Sequence, residues 1–315
     1  MAAHDLRPES TWSLKEVDIP GVSNFFVSSV HHDWILAAEM DLVRFAVSAT
    51  EKCELAFDVG MNDGFYSQLF AAQGCEVHSF EIQQRCIEVS CIVAAENDFG
   101  NKIKIYESPV TAKHGDVVEI PVGNTTAGSC DGGFSFHTAN SETKGHLPFK
   151  RIGERFLFGI TLDEIFKHNT RAISFMKVDT EGHEFQVLEG ARGLFQRRQV
   201  RAAVFEANPT FWREEDDVRV RVLDEIIDFG YYLKCSRTDF RLKQASDIHS
   251  RPADCGVDVF IIQDESFQGS NNSHKQKSPQ QSFHAQQMPQ LSGQVPVIIF
   301  FIAILIAAVF PPKFK

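Results

Sequence analysis

No C-x-x-C pair occurs in the chain, and its seven cysteines are odd in number and irregularly spaced. That pattern argues against a secreted disulfide framework and against a structural zinc site. The thiols are expected to pack as small hydrophobes. Basic residues are scarce relative to acids, giving a formal net charge of -11. The balance speaks against a nucleic-acid partner, which would need a basic stripe. The opening stretch, "MAAHDLRPESTWSLKEVD", lacks the apolar core of a signal peptide. Together these absences predict a main body in a reducing, cytosol-facing location.

What is present is apolar bulk. The chain has 315 residues, 43% of them hydrophobic and 28 of them Phe, ample for a sizeable core. Residues 1–50 form a lead-in, in which "HHDWILAAEMDLVRFAVSA" has helical apolar spacing. Residues 51–263 alternate strand-like and helix-like segments, which predicts a mostly parallel sheet with helices on both faces. Thr161 is the expected cap of one helix and Gly74 closes another. Residues 264–294 are rich in Gln, Ser, Asn and His and are expected to be a disordered linker. A charge-free apolar run at 295–310 follows, slightly short of the roughly 20 residues of a membrane helix. Residues 295–312 are therefore expected to form a C-terminal hydrophobic helix that anchors the chain in a membrane.

Three stretches carry the chemistry. In "FDVGMNDGFYS", a strand, a glycine turn and a helix follow one another, as in the nucleotide cradles of doubly wound folds. The nicotinamide fingerprint G-x-G-x-x-G is missing, because Asn62 stands where its middle Gly would be. The pattern D-x-G-x-N-x-G, with Asp58, Gly60, Asn62 and Gly64, suits an adenosine carrying an amino acid. Asp58 is placed to receive an ammonium. The second stretch, "HSFE", ends in Glu81, 21 residues after Gly60. An acid at that distance accepts hydrogen bonds from ribose hydroxyls. The third, "FMKVDTEGHEFQVLEGARGLF", crowds Lys177, Asp179, Glu181, His183 and Glu184 at a strand end, where open α/β sheets bind ligands. Glu184 is read there as complementing a helix N-terminus.

Taken together, these residues resemble the FkbM-type methyltransferases. "FDVGMNDGFYS" matches that family's D-x-G-x-N-x-G-x-x-[ST] opening, and "FMKVDTEGHEFQVLEGA" its K-x-D-x-E-G-x-E-x-x-V-L-x-G-A block. "VFEANP", with Glu206, resembles the strand that follows. The likeness runs over about residues 56–262. It implies a Rossmann-like class I methyltransferase fold with a mostly parallel seven-stranded sheet. It also implies S-adenosyl-L-methionine as cofactor and methyl transfer to a hydroxyl. By position, Asp58, Gly60, Asn62 and Gly64 would line the methionine end, Glu81 would hold the ribose, and Ile82 would flank the adenine. The segment "YESPVTAKHG" departs from the family's A-[LVI]-[SG] run.

Asp179 is the first candidate for the base or acceptor-orienting group, with Glu181 and His183 behind it. His114 and His137, in less regular segments, are weaker candidates. No metal ligand set can be assigned. The acceptor is expected to be a small molecule, a glycan or a lipid headgroup. Two other readings stay open: a catalytically silent methyltransferase-like module that binds a partner, and a nicotinamide-dependent oxidoreductase.

Overall fold

In the computed structural model the described residues are 12–30, 32–124, 150–212 and 214–267. They fall within one compact unit, Met1–Gly269. The linker and the anchor expected beyond residue 267 lie outside the described residues, as do His137 and Cys130. Among the described residues, no helix is long and apolar enough to cross a membrane.

The lead-in is more than a helix. A hairpin of β1 (Leu14–Val17) and β2 (Phe25–Ser28) precedes α1 (His32–Ala38) and α2 (Met40–Ala49), which break at Glu39. The alternation then begins with β3 (Leu55–Val59), α3 (Phe65–Ala72), β4 (Glu76–Glu81), α4 (Gln84–Glu96) and β5 (Ile103–Glu107). An excursion follows, a separate antiparallel pair of β6 (Val117–Asn124) and β7 (Lys150–Phe158). The main run resumes with α5 (Leu162–Ile165), β8 (Ile173–Val178), α6 (Glu184–Gly190), α7 (Arg192–Gln196), β9 (Ala202–Glu206) and α8 (Asp216–Asp228). It closes with β10 (Tyr231–Cys235), β11 (Arg241–Leu242) and β12 (Asp258–Gln263).

The strand order is β11-β10-β12-β9-β8-β3-β4-β5. This corrects the expected seven-stranded sheet in two respects. Among the described residues the sheet has eight strands, because the two-residue β11 pairs at the edge, too short to leave a sequence signal. The sheet is also mixed, since β12 inserts antiparallel to both β9 and β10. The parallel core, β5 to β9, is as expected.

Burial on both faces explains why the central strands read as continuous apolar runs. On β3, Leu55, Phe57 and Val59 enter the core beneath α6, α7 and α8. Ala56 faces the opposite core, built by α2, α3 and the β1–β2 hairpin. Truncating Phe57, which is fully buried, would cost about 3–5 kcal/mol. Thr161 caps α5 as expected, its Oγ1 accepting the Glu164 N–H at 3.2 Å.

The cysteines correct another expectation. Cys53 pairs with Cys75 and Cys235 with Cys255, while Cys91 is an exposed free thiol. No sequence motif announces these bridges, because the topology makes them. Cys53 and Cys75 precede the adjacent strands β3 and β4. Cys235 ends β10, and Cys255 shortly precedes its antiparallel neighbour β12. Disulfides persist in oxidising surroundings, so the cysteines no longer argue for a reducing location.

Candidate active site

The parallel strands β3, β4, β8 and β9 all end at one rim. Between β3 and α3 the chain must turn sharply, and residues 60–64 do so with Gly60 at φ 78°, Asn62 at 54° and Gly64 at 89°. Gly60 has a second reason to be glycine. A Cβ there would sit 1.8 Å from the carbonyl oxygen of Asp179. The loop therefore lies directly on the end of β8. The Gly60 N–H donates to the Phe80 carbonyl at 2.9 Å and the Asp179 N–H to the Val59 carbonyl at 2.9 Å, so three strand ends are tied together.

Glu81 holds the next turn. Its buried carboxylate accepts the backbone N–H groups of Asn62, Ile82 and Gln83, each at 2.8 Å. Burial raises its pKa, and these three amides oppose that rise. A carboxylate offers about four lone-pair sites, so one remains for a ligand hydroxyl. Nearby, Arg155 of β7 donates to the Ile82 carbonyl oxygen and to the Glu107 carboxylate.

At the end of β8, the buried Lys177 ammonium donates to Asp179 Oδ2 at 2.8 Å and lies 5.1 Å from the centre of the Tyr66 ring. Burial alone would lower the Lys177 pKa. The carboxylates of Asp179, Asp58 and Glu39 outweigh burial and raise it, so Lys177 stays charged. Two further acids are pushed the other way. Asp258, at the start of β12, is raised to about 7 by burial and by Glu39 and Asp179. Glu206, at the end of β9, is raised by burial and by Asp179, Glu181 and Glu184.

Around these groups opens a cavity of about 1210 Å³, larger than the roughly 300–1,000 Å³ of a typical ligand site. Of the sequence candidates, Gly60, Asn62, Glu81, Ile82, Asp179, Glu181 and His183 all line it. Asp58 and Gly64 do not. Asp58 is fully buried, and its Oδ2 accepts the Ser67 hydroxyl at 2.6 Å. It supports the rim from below as the register partner of Lys177. Gly64 is the N-cap of α3, close against Ser90. Glu184, read as a helix-end acid, accepts the N–H groups of Thr180 and Gly182 at the start of α6. His114 has a structural part, with the Thr161 N–H directed to its Nδ1 at 3.3 Å.

The sequence reading missed Glu39 and Tyr66, joined by a 2.6 Å hydrogen bond, and Asp258. The available signals were faint: an acid interrupting a helical pattern and an acid opening an apolar strand. Among the described residues, ten aspartates and glutamates line the cavity against one lysine and no arginine. Among the described residues, no group of three His, Cys, Asp or Glu side chains is arranged to hold a metal ion.

The Methyltransferase FkbM domain model matches residues 58–233, more than half of the chain. The chain belongs to the FkbM methyltransferase family. Its FkbM domain is similar to the methyltransferase FkbM of Methylobacillus flagellatus KT, at 14% identity and a TM-score of 0.38, over 67% of this chain and 43% of that one. It is also similar to an S-adenosylmethionine-dependent methyltransferase of Agrobacterium tumefaciens, at 10% identity and a TM-score of 0.35, over 68% and 58% of the two chains. A putative caffeoyl-CoA O-methyltransferase from Staphylococcus aureus is matched at 11% identity and a TM-score of 0.35, over 74% and 90%. The chain thus spans only about half the length of the first two. Likenesses at these scores add nothing to the case, which rests on the family match and the site. No curated protein matches the chain. Asp58, the first residue of the FkbM match, supports the rim, and the residues around it build the cavity wall.

Proposed function

We propose that this chain is an S-adenosylmethionine-dependent methyltransferase that methylates a hydroxyl oxygen. The supporting observation is the charge of the cavity. Among the described residues, ten acids face a single lysine, itself paired with Asp179, so the wall favours a ligand with net positive charge. S-adenosylmethionine carries a sulfonium and an ammonium against one carboxylate. The remaining lone pair of Glu81 suits a ribose hydroxyl. Phe80, Ile82 and Val110 offer an apolar wall for a base.

When bound, the cofactor supplies a methyl group already activated on a positive sulfur. What this chain must add is alignment and a destination for a proton. Alignment alone contributes several kcal/mol. Asp179 Oδ2 is committed to Lys177, which leaves Oδ1 to accept the hydrogen of an incoming hydroxyl and orient its oxygen. Glu181 and His183 stand on the same wall as secondary proton acceptors. Glu206, whose pKa burial and the carboxylates of Asp179, Glu181 and Glu184 raise, stands on the same wall.

The test is a transfer screen with isotopically labelled methyl donor against hydroxylated acceptors in cell extracts, read by mass spectrometry of the product. A labelled product that depends on Asp179 supports the proposal. Saturable cofactor binding with no product from any acceptor would favour a silent binding module.

A further inference from the structure

The β6–β7 pair breaks the usual rule of a solvated ribbon. Cross-strand partners are Val117 with Phe158, Val118 with Leu157, Glu119 with Phe156 and Ile120 with Arg155. Because side chains alternate, Val117, Glu119, Phe156 and Phe158 share one face, and Ile120, Leu157 and Arg155 share the other. The second face is anchored. Ile120 is buried, and Arg155 reaches the Glu107 carboxylate and the Ile82 carbonyl. The first face is in water, with Val117 63%, Phe156 60% and Phe158 71% exposed. Three large apolar side chains side by side on a surface mark a binding site more often than an accident.

What they bind follows from where the ribbon sits. Val117 and Glu119 also line the active-site cavity, so the apolar face continues directly from the place where the acceptor hydroxyl must enter. The cavity also exceeds a typical site in volume, leaving room for an acceptor beside a cofactor. We propose that the methyl acceptor is amphiphilic: its hydroxylated head enters the cavity, and its apolar chain lies along Val117, Phe158 and Phe156. The inference rests on reading the cavity as a methyl-transfer site, and it narrows the acceptor to a hydroxyl compound carrying an alkyl or similar chain. Arg155 fixes the ribbon to the loop after Glu81, so the platform keeps its position relative to the cofactor end.

The test uses methyl, hexyl and octyl β-glucosides below their critical micelle concentrations, titrated calorimetrically into the full chain. Burying one methylene contributes about 0.8 kcal/mol, and a half-open face recovers part of that, so affinity should rise roughly two- to fourfold per methylene from hexyl to octyl. The double substitution Phe156→Ser/Phe158→Ser should abolish this dependence on chain length, and Val117→Ser should weaken it. The double variant should bind S-adenosylhomocysteine as the wild type does, which also shows that it folds. Equal affinity for hexyl and octyl glucoside in the wild type would overturn the proposal, as would an unchanged chain-length gain in the double variant. A wild-type dimer that the double substitution converts to monomer would assign the face to a second copy instead. Lipid-vesicle binding lost in the double variant, with no chain-length effect, would assign it to a membrane. A wild type that shows the chain-length effect but binds no S-adenosylhomocysteine would sink the cofactor reading and leave an apolar-ligand site.

Discussion

Replacing Gly60 by Ala separates two demands that a glycine can meet. At φ 78°, an L-residue carries a left-handed strain of about 1–2 kcal/mol. The added Cβ would also lie 1.8 Å from the Asp179 carbonyl oxygen, where real contacts are at least 3.0 Å. Backbone atoms must therefore part by about 1 Å. The Asp179 N–H to Val59 bond is the nearest casualty, at about 1 kcal/mol, and the packing of the loop on β8 loosens with it. The total comes to about 3–5 kcal/mol. Gly74→Ala is the control, since Gly74 has φ 94° and no heavy atom within 4 Å of where its Cβ would stand. It should cost only the strain, about 1–2 kcal/mol. Urea unfolding of both variants measures the difference, expected at about 2–3 kcal/mol. Because Asp179 moves in the Gly60 variant, turnover should fall about a hundredfold, the usual penalty for a displacement near 1 Å. Equal destabilisation of the two variants would refute the claim that this glycine seats the loop on β8.

Three further outcomes follow from the site and its frame. Asp179→Asn should lower turnover by about 10²–10⁴ while changing S-adenosylhomocysteine affinity far less, which steady-state kinetics and calorimetry distinguish. Asp258 has a folded pKa of about 7, raised from 3.8. The folded state therefore holds a proton that the unfolded state has released, and this group's contribution to stability falls as pH rises from about 4 to about 7. Asp258→Asn should flatten that slope in a thermal-melt series; an unchanged slope would count against the burial of this acid. The Cys235–Cys255 bridge closes a separation of 20 residues, so Cys235→Ser should cost about 3 kcal/mol. Peptide mapping without reductant should show both disulfides.

Much of the site was readable because it is local. The glycine turn, Glu81 and the block around Asp179 each sit within a few residues of a strand end, and the strands themselves are apolar runs that only a doubly covered sheet would bury. What escaped the reading is non-local. Glu39 and Tyr66 meet across 27 residues, Asp258 reaches the rim only because β12 inserts beside β9, and the cysteines pair because their strands are neighbours. Asp58 shows the converse limit. Its place in the motif was legible, but the hydroxyl of Ser67 and the full burial of its carboxyl beneath the cavity wall depend on the packed fold. The same holds for Gly60, whose closeness to Asp179 no spacing rule announces.

The central claim is that this rim binds S-adenosylmethionine through an acidic wall and the carboxylate of Glu81. Calorimetric titration of the cofactor into the wild type and into Glu81→Ala tests it most directly. Loss of one charge-assisted contact and of the loop's anchor, about 1.5–3 kcal/mol, should weaken binding roughly ten- to a hundredfold. Saturable one-to-one binding that falls by that factor is the expected result. A folded wild type that gives no binding heat, or a Glu81→Ala variant that binds as tightly as the wild type, would contradict it.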